Sequence, residues 1–297
     1  MRKINNLSFV ILGIILIIFT IWSATDNSFS SLKGIEHQET LKKINQCENS
    51  KTDNSFETYK TISSQFDVDW SDCDLTGVIL RHVSLVGADL SGAKLYGVDL
   101  RQADLYQANL ENAILDGTDL RDTVMENVNL NHASLKHAYI YKTILANTEF
   151  TNVDASYSNF CGQDLTEKIF HNTNLSGANL AHTKMEFTYL GNAIFHETSF
   201  EEAYLVGSDF SGNSLKKVNF KGSNLYSVNL KNSDLTEANL ENADFTNANL
   251  ENADFTNAKI FGADFTSAKT NGVNMNDADK AKPKDFYEKS NIEMLQK

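Results

Sequence analysis

Three arginines spaced twenty residues apart, Arg81, Arg101 and Arg121, could together hold a phosphate or a carboxylate, because guanidinium groups pair with such anions through parallel hydrogen bonds. Asp99 and Asp119 stand two residues before the second and third arginine, so the same five side chains could instead neutralise one another as a ladder. Six histidines, His82, His132, His137, His171, His182 and His196, share the stretch with many carboxylates, and a metal would need three or four of these groups to converge on one point. Cys47, Cys73 and Cys161 offer a bridge or thiol chemistry. What these groups can do depends on the elements that position them.

A large apolar residue falls on every fifth position from Leu75 to Phe265, the single lapse being Ala155. On an α-helix a five-residue step turns the side chain by roughly 140°, scattering such residues around the cylinder, and on a flat strand an odd step alternates faces. A chain that turns a right angle every five residues buries them all, with four pentapeptides closing a coil of twenty residues. Two places before each large residue stands a small one, as at Ala88, Ala93, Ala103, Ala238 and Ala243. The period of two sends both inward, where small and large side chains alternate to fill a narrow core. Asp or Asn precedes the large residue (Asp89, Asp99, Asp104, Asn109, Asn239), and Gly or Asn follows two places after it (Gly87, Gly92, Asn242), residues that tolerate tight corners. The pattern predicts an all-β solenoid.

Stretches such as Ala88-Asp89-Leu90-Ser91-Gly92 and Ala243-Asp244-Phe245-Thr246-Asn247 resemble the A-(D/N)-L-x-x unit of pentapeptide-repeat proteins. The resemblance implies that family's right-handed quadrilateral β-helix, here of about ten coils, or a rod roughly 48 Å long at the usual strand spacing. The expected organisation is a signal anchor or signal peptide over 1–23 and a tether and N-terminal cap over 24–70. The β-helix would span 71–275, and a C-terminal cap helix 276–297. Within the cap segment, a short helix is expected around Leu32 to Gln46, followed by an aromatic stretch from Phe56 to Trp70. Family members dimerise through carboxy-terminal helices, so a homodimer through the last helix is a further expectation.

On a twenty-residue coil the histidines disperse: His82 and His182 share a column five coils apart, and the others occupy different columns. The aspartates recur because the repeat recurs. There is no glycine-rich phosphate loop and no serine nucleophile elbow, and a filled core leaves no substrate pocket. The expectation is a non-enzyme with no cofactor and no metal. The arginine array reads as a salt-bridge ladder or as an anion site. On the next face Val86, Tyr106, Val124, Ile144, Ala146, Tyr204, Val206 and Tyr226 project outward where the repeat is normally polar, and they form the expected partner surface. Cys73 occupies an inward small-residue place of the first coil, so it is either a buried thiol or, in an oxidising compartment, bridged to Cys47. Cys161 points outward with no activating group beside it. Between Val153 and Phe170, Ala155 underfills the core while Gln163 and Lys168 occupy inward places, which predicts a loosened coil from which Lys168 escapes.

The full chain carries a net charge of −13, and residues 71–270 hold 26 Asp plus Glu against 14 Lys plus Arg. That field disfavours nucleic acid and anionic lipid; it either suits a basic partner or keeps the rod soluble. At the amino terminus Arg2 and Lys3 precede an uncharged run from Leu7 to Trp22. This run reads as an inner-membrane anchor with the rod on the extracytoplasmic side, or as a signal cut before secretion. Three functions follow as expectations. The first is a membrane-tethered or exported scaffold or adaptor that binds a protein along the rod. The second, implied by the family, is an acidic DNA mimic acting on DNA gyrase. The third, also implied by the family, is a secreted effector that targets a host membrane.

Overall fold

The computed structural model describes residues 68–278 and, ahead of them, residues 39, 40, 42–44, 46 and 47. The hydrophobic run from Leu7 to Trp22, most of the aromatic stretch before Trp70 and the segment after residue 278, where a final helix is expected, lie outside the described residues. Among the described residues no helix is long and apolar enough to cross a membrane.

Parallel bridges join residues twenty apart along four columns, exemplified by Asp69↔Asp89↔Asn109, Asp74↔Lys94↔Ile114, Ile79↔Asp99↔Asp119 and Ser84↔Asp104↔Val124. A twenty-residue coil with four sides is therefore the repeating unit, as the five-residue grid requires. In a regular pentapeptide all five backbone N–H groups find partners, as buried or edge-on backbone requires. Around Leu90, Asp89 N–H donates to the Val68 carbonyl at 2.9 Å, Leu90 N–H to Asn109 at 2.8 Å and Gly92 N–H to Glu111 at 2.8 Å, all between coils. Ala93 N–H closes the corner onto the Leu90 carbonyl at 3.1 Å. The remaining N–H, of Ser91, is taken by the Asp89 side chain at 3.0 Å. This is why Asp and Asn dominate the place before the large residue: their short side chain accepts the one amide that the coil cannot pair.

The second corner residue adopts a left-handed φ throughout, not only at Gly and Asn but also at His82 (57°), Tyr157 (59°), Phe187 (55°) and Lys217 (61°). A left-handed conformation costs a residue with a Cβ roughly 1–2 kcal/mol, and the two cross-coil bonds around each of these four corners, joined at Tyr157 and Lys217 by the corner bond, hold it in place.

Inside, the large residues are sealed from solvent, with Leu105, Leu225, Phe160 and Ala155 at 0% exposure. Phenylalanines twenty apart stack face to face, at 4.9 Å for Phe150 and Phe170, 5.1 Å for Phe200 and Phe220 and 5.0 Å for Phe245 and Phe265. Where the small inward residue is Thr, its hydroxyl is satisfied by a carbonyl of the neighbouring coil or, as at Thr183, of its own. Thr118 Oγ1 donates to Leu95 and Thr198 Oγ1 to Leu175, each at 2.7 Å. A buried hydroxyl is thus no penalty in this core.

The described residues between 39 and 47 are helical and cover the first coil. Cys47 and Cys73 form a disulfide with Cα atoms 5.4 Å apart. Thr40 Oγ1 accepts the Ile79 N–H, the Lys43 ammonium donates to the Thr76 carbonyl, and Ile44 packs on the core. These contacts cap raw core and unpaired backbone at the rod's end.

The loosened coil lies slightly earlier than the sequence suggests. The corner bonds at Lys168 and Gln163 are intact, and Lys168 is half-buried. The bridges that would pair Glu149 with Asn129 and Ile169, and Ile144 with Asp164, are missing among the described residues. Two side chains mark the slip. Gln163 turns inward and pairs with Thr143 of the coil below, its Oε1 accepting the Thr143 N–H at 3.1 Å and its Nε2 donating to the Thr143 carbonyl at 2.6 Å. Glu149 stands where Asp or Asn should, and no bond from the Thr151 N–H to its carboxylate forms.

Candidate partner-binding surface

The three arginines and two aspartates form one continuous ladder. Arg81 contacts Asp99 at 2.5 Å, Arg101 contacts Asp99 at 2.8 Å and Asp119 at 3.4 Å, and Arg121 contacts Asp119 at 2.6 Å. Both Arg101 and Arg121 also bond back through Nε to the aspartate two residues before them. Burial holds the Asp99 carboxyl above its ordinary value, against the bond and charge of Arg81, which draw it down. The Arg121 guanidinium is held above its usual range by the bond and charge of Asp119. Three cations against two anions leave a single surplus positive charge over three coils, and the forks that would grip an anion are already occupied.

The apolar positions of the adjacent face divide into two groups. Val124 and Ile144 are bridged neighbours, and Tyr106 lies two residues beyond Asp104, the bridge partner of Val124 on its other side. Ile144 is 51% exposed, while Tyr106 and Val124 are half-buried. Tyr204, Val206 and Tyr226 form the second group, with Tyr204 52% and Tyr226 41% exposed. Asp164 and Lys184 occupy the column between them, so Ile144 and Tyr204 stand three coils apart, about 14 Å at ordinary strand spacing. Thr166 Oγ1 bonds Glu186 at 3.0 Å in the same interval, making the gap polar.

A feature not anticipated from sequence lies around these groups. Tyr139, Tyr141, Tyr157, Phe187, Tyr189 and Ile194 are all about half exposed or more, and with Ile144 and Tyr204 they girdle the middle of the rod on every side. Several lie flat on backbone where a glycine makes room: a Cβ on Gly177 would sit 2.5 Å from the Tyr157 ring, and one on Gly207 2.7 Å from the Phe187 ring. The pairing of an aromatic corner with a glycine twenty residues later is the sequence signal that could have found these two members of the girdle. The histidines there are engaged singly, His137 stacking on Tyr157 at 5.2 Å and His182 Nδ1 lying 3.3 Å from Glu202. Among the described residues no group of three or more His, Cys, Asp or Glu could hold a metal. Cys161 is a free, half-buried thiol.

A protein-family model described as pentapeptide repeats (8 copies) matches residues 71–107, 103–140, 143–181, 173–212, 193–232 and 223–260. No curated protein matches the chain. Similar solved structures include HetL, a pentapeptide repeat protein involved in heterocyst differentiation regulation from the cyanobacterium Nostoc sp. strain PCC 7120. It is 21% identical, with 69% of this chain and 86% of HetL covered and a TM-score of 0.33. Trypsin-treated QnrB1, a plasmid-mediated fluoroquinolone resistance protein, is 15% identical over 66% of this chain and 90% of its own, with a TM-score of 0.33. A pentapeptide repeat protein from the Arabidopsis thaliana thylakoid lumen is 26% identical over 41% of this chain and 67% of its own, with a TM-score of 0.22.

Proposed function

Because the chain belongs to the pentapeptide-repeat family, whose members are in general structural or binding proteins rather than enzymes, we propose that it is a non-enzymatic adaptor that docks a basic protein partner against the side of its rod. The observation that carries this reading is the exposure of Ile144, Tyr204 and Tyr226 on one face, at outward positions the repeat most often fills with polar residues. Aromatic side chains on a rigid surface give contact area at small entropic cost, and the acidic background selects a basic partner.

We further propose that the rod lies on the extracytoplasmic side, held by the run from Leu7 to Trp22 or released by its cleavage. The Cys47–Cys73 bridge supports this, since such bonds persist in oxidising compartments. An acidic rod would also suit mimicry of duplex DNA on a gyrase, but that role needs the cytoplasm, where the bridge would be reduced. A photo-crosslinking residue placed at Tyr204 in living cells tests the docking face. One discrete adduct, lost in Ile144→Ser with Tyr226→Ser and not formed from the distant corner Asn257, is the expected result. Identical adducts from positions 204 and 257, or none, would contradict it.

A further inference from the structure

On one face the coils part around a corner that changes its allegiance. Ile144 N–H donates to the Thr123 carbonyl and Asn127 N–H to the Ala146 carbonyl, each at 2.9 Å, so residues 144–146 stay with the coil below. Phe150 N–H donates to Ile169 and Asn152 N–H to His171, also at 2.9 Å, so the chain after the corner stays with the coil above. Between these attachments lies a cleft of about 330 Å³, with Asn127, Asn129, Asn131, Asn147, Glu149 and Thr151 as its polar lining. One coil earlier, Leu110 N–H bonds the Asn129 carbonyl at 2.8 Å and Asn112 N–H bonds the Asn131 carbonyl at 3.0 Å. The equivalent N–H groups of Leu130 and His132 have no such partner in the described residues, nor have the carbonyls of Glu149 and Thr151 that should receive them. The N–H of Glu149 and the carbonyl of Val128 are released in the same way.

We propose that this cleft is a binding site for a neutral, hydroxyl-rich small molecule of the monosaccharide class. Donors and acceptors face each other across the opening. The Asn129 amide is engaged at both ends and the Asn131 oxygen by Asn152, but the amides of Asn127 and Asn147 make no other bond among the described residues and add both kinds of group, so the best occupant brings groups that both donate and accept at close spacing. A sugar hydroxyl does so. An anion would meet Glu149 in an already acidic field, and a divalent cation would find a single carboxylate. An extended peptide is less well matched, because strand addition reads a straight row of free groups on one edge, whereas here they are shared between two short lips. The volume is that of a small-ligand site.

The test uses the full chain in a zwitterionic, sugar-free detergent, titrated calorimetrically with glucose, galactose and N-acetylglucosamine while amide hydrogen exchange is followed at Leu130, His132 and Glu149. At least one sugar should bind saturably with a Kd of about 1 mM or tighter and slow exchange at those three amides. Glu149→Asp restores the short acceptor that the corner lacks and should close the cleft, weakening binding about tenfold or more while the circular dichroism of the coil is retained. Asn147→Gly keeps the left-handed corner and removes one lining amide, and should weaken binding without closing the cleft. Absence of saturable binding by all three sugars, or affinity unchanged in both variants, would overturn the proposal.

Discussion

Asp104 and Leu105 are neighbours in sequence with opposite tolerances. Asp104 Oδ1 accepts the Tyr106 N–H at 3.0 Å, a role an asparagine fills equally well, whereas Leu105 is wholly enclosed. Asp104→Asn should change stability by less than about 0.5 kcal/mol, and Leu105→Asp should cost more than about 4 kcal/mol by placing an unpaired charge in the axis. Thermal melts of the two variants check the register; equal losses would refute it. The same corner acceptors set the acid response. The carboxyls of Asp74 and Asp89 are held below their ordinary value first by the hydroxyls of Thr76 and Ser91 and then by the backbone amides of those residues. A carboxyl with a lowered folded-state pKa contributes stability that is complete above its unfolded value and lost as pH falls through the folded one. Melting temperature should therefore be level above about pH 5 and fall progressively below about pH 4. A melting temperature that held or rose below pH 4 would show that these bonds favour the neutral form.

At the scale of the element, the cap and the first coil are one cooperative piece because Cys47 is tied to Cys73. Since each coil touches only its neighbours, loss of the bridge should be felt locally. Cys47→Ser should speed hydrogen exchange at Ile79 and its neighbours by about tenfold or more, at a local cost of about 2–4 kcal/mol, and leave exchange at Leu225 unchanged. Uniform acceleration along the rod would show that the cap governs the whole fold. The coil itself was legible because the core demands a large residue at every fifth place, and Leu75 to Phe265 provide it with one lapse. The capping role of the helical residues near 44 was legible from the open end they must cover. Less visible were the left-handed corners at Tyr157 and Phe187, where cross-coil bonds override a propensity against them. The site of the slip was also hidden. Lys168 looked like the intruder, but its long stem leaves the core, while Gln163 can satisfy both ends of its amide inside. At Glu149 one extra methylene removes a bond that the repeat pattern does not advertise.

For the molecule as a whole, the sequence located charge better than contact. Arg81, Arg101 and Arg121 were placed in one column by the twenty-residue period, and the structure closes them onto Asp99 and Asp119. The apolar face was legible in composition only: Tyr106, Val124 and Ile144 come together, but Tyr204, Val206 and Tyr226 are set apart by Asp164 and Lys184. Outward positions are free of the core's demands, so no periodicity announces the girdle around Tyr139 and Tyr189. What would join these surfaces to the proposed role is the compartment in which they stand. Cys161 supplies the probe, being a free cysteine partly open to solvent while Cys47 and Cys73 are bonded to each other. The most direct measurement is labelling of Cys161 by a membrane-impermeant maleimide in intact spheroplasts expressing the full chain, with Cys161→Ser as the blank. Labelling in intact spheroplasts equal to that after lysis is the predicted result and puts the adaptor surface outside the cytoplasm; labelling only after lysis would contradict the account and return the acidic rod to the cytoplasm.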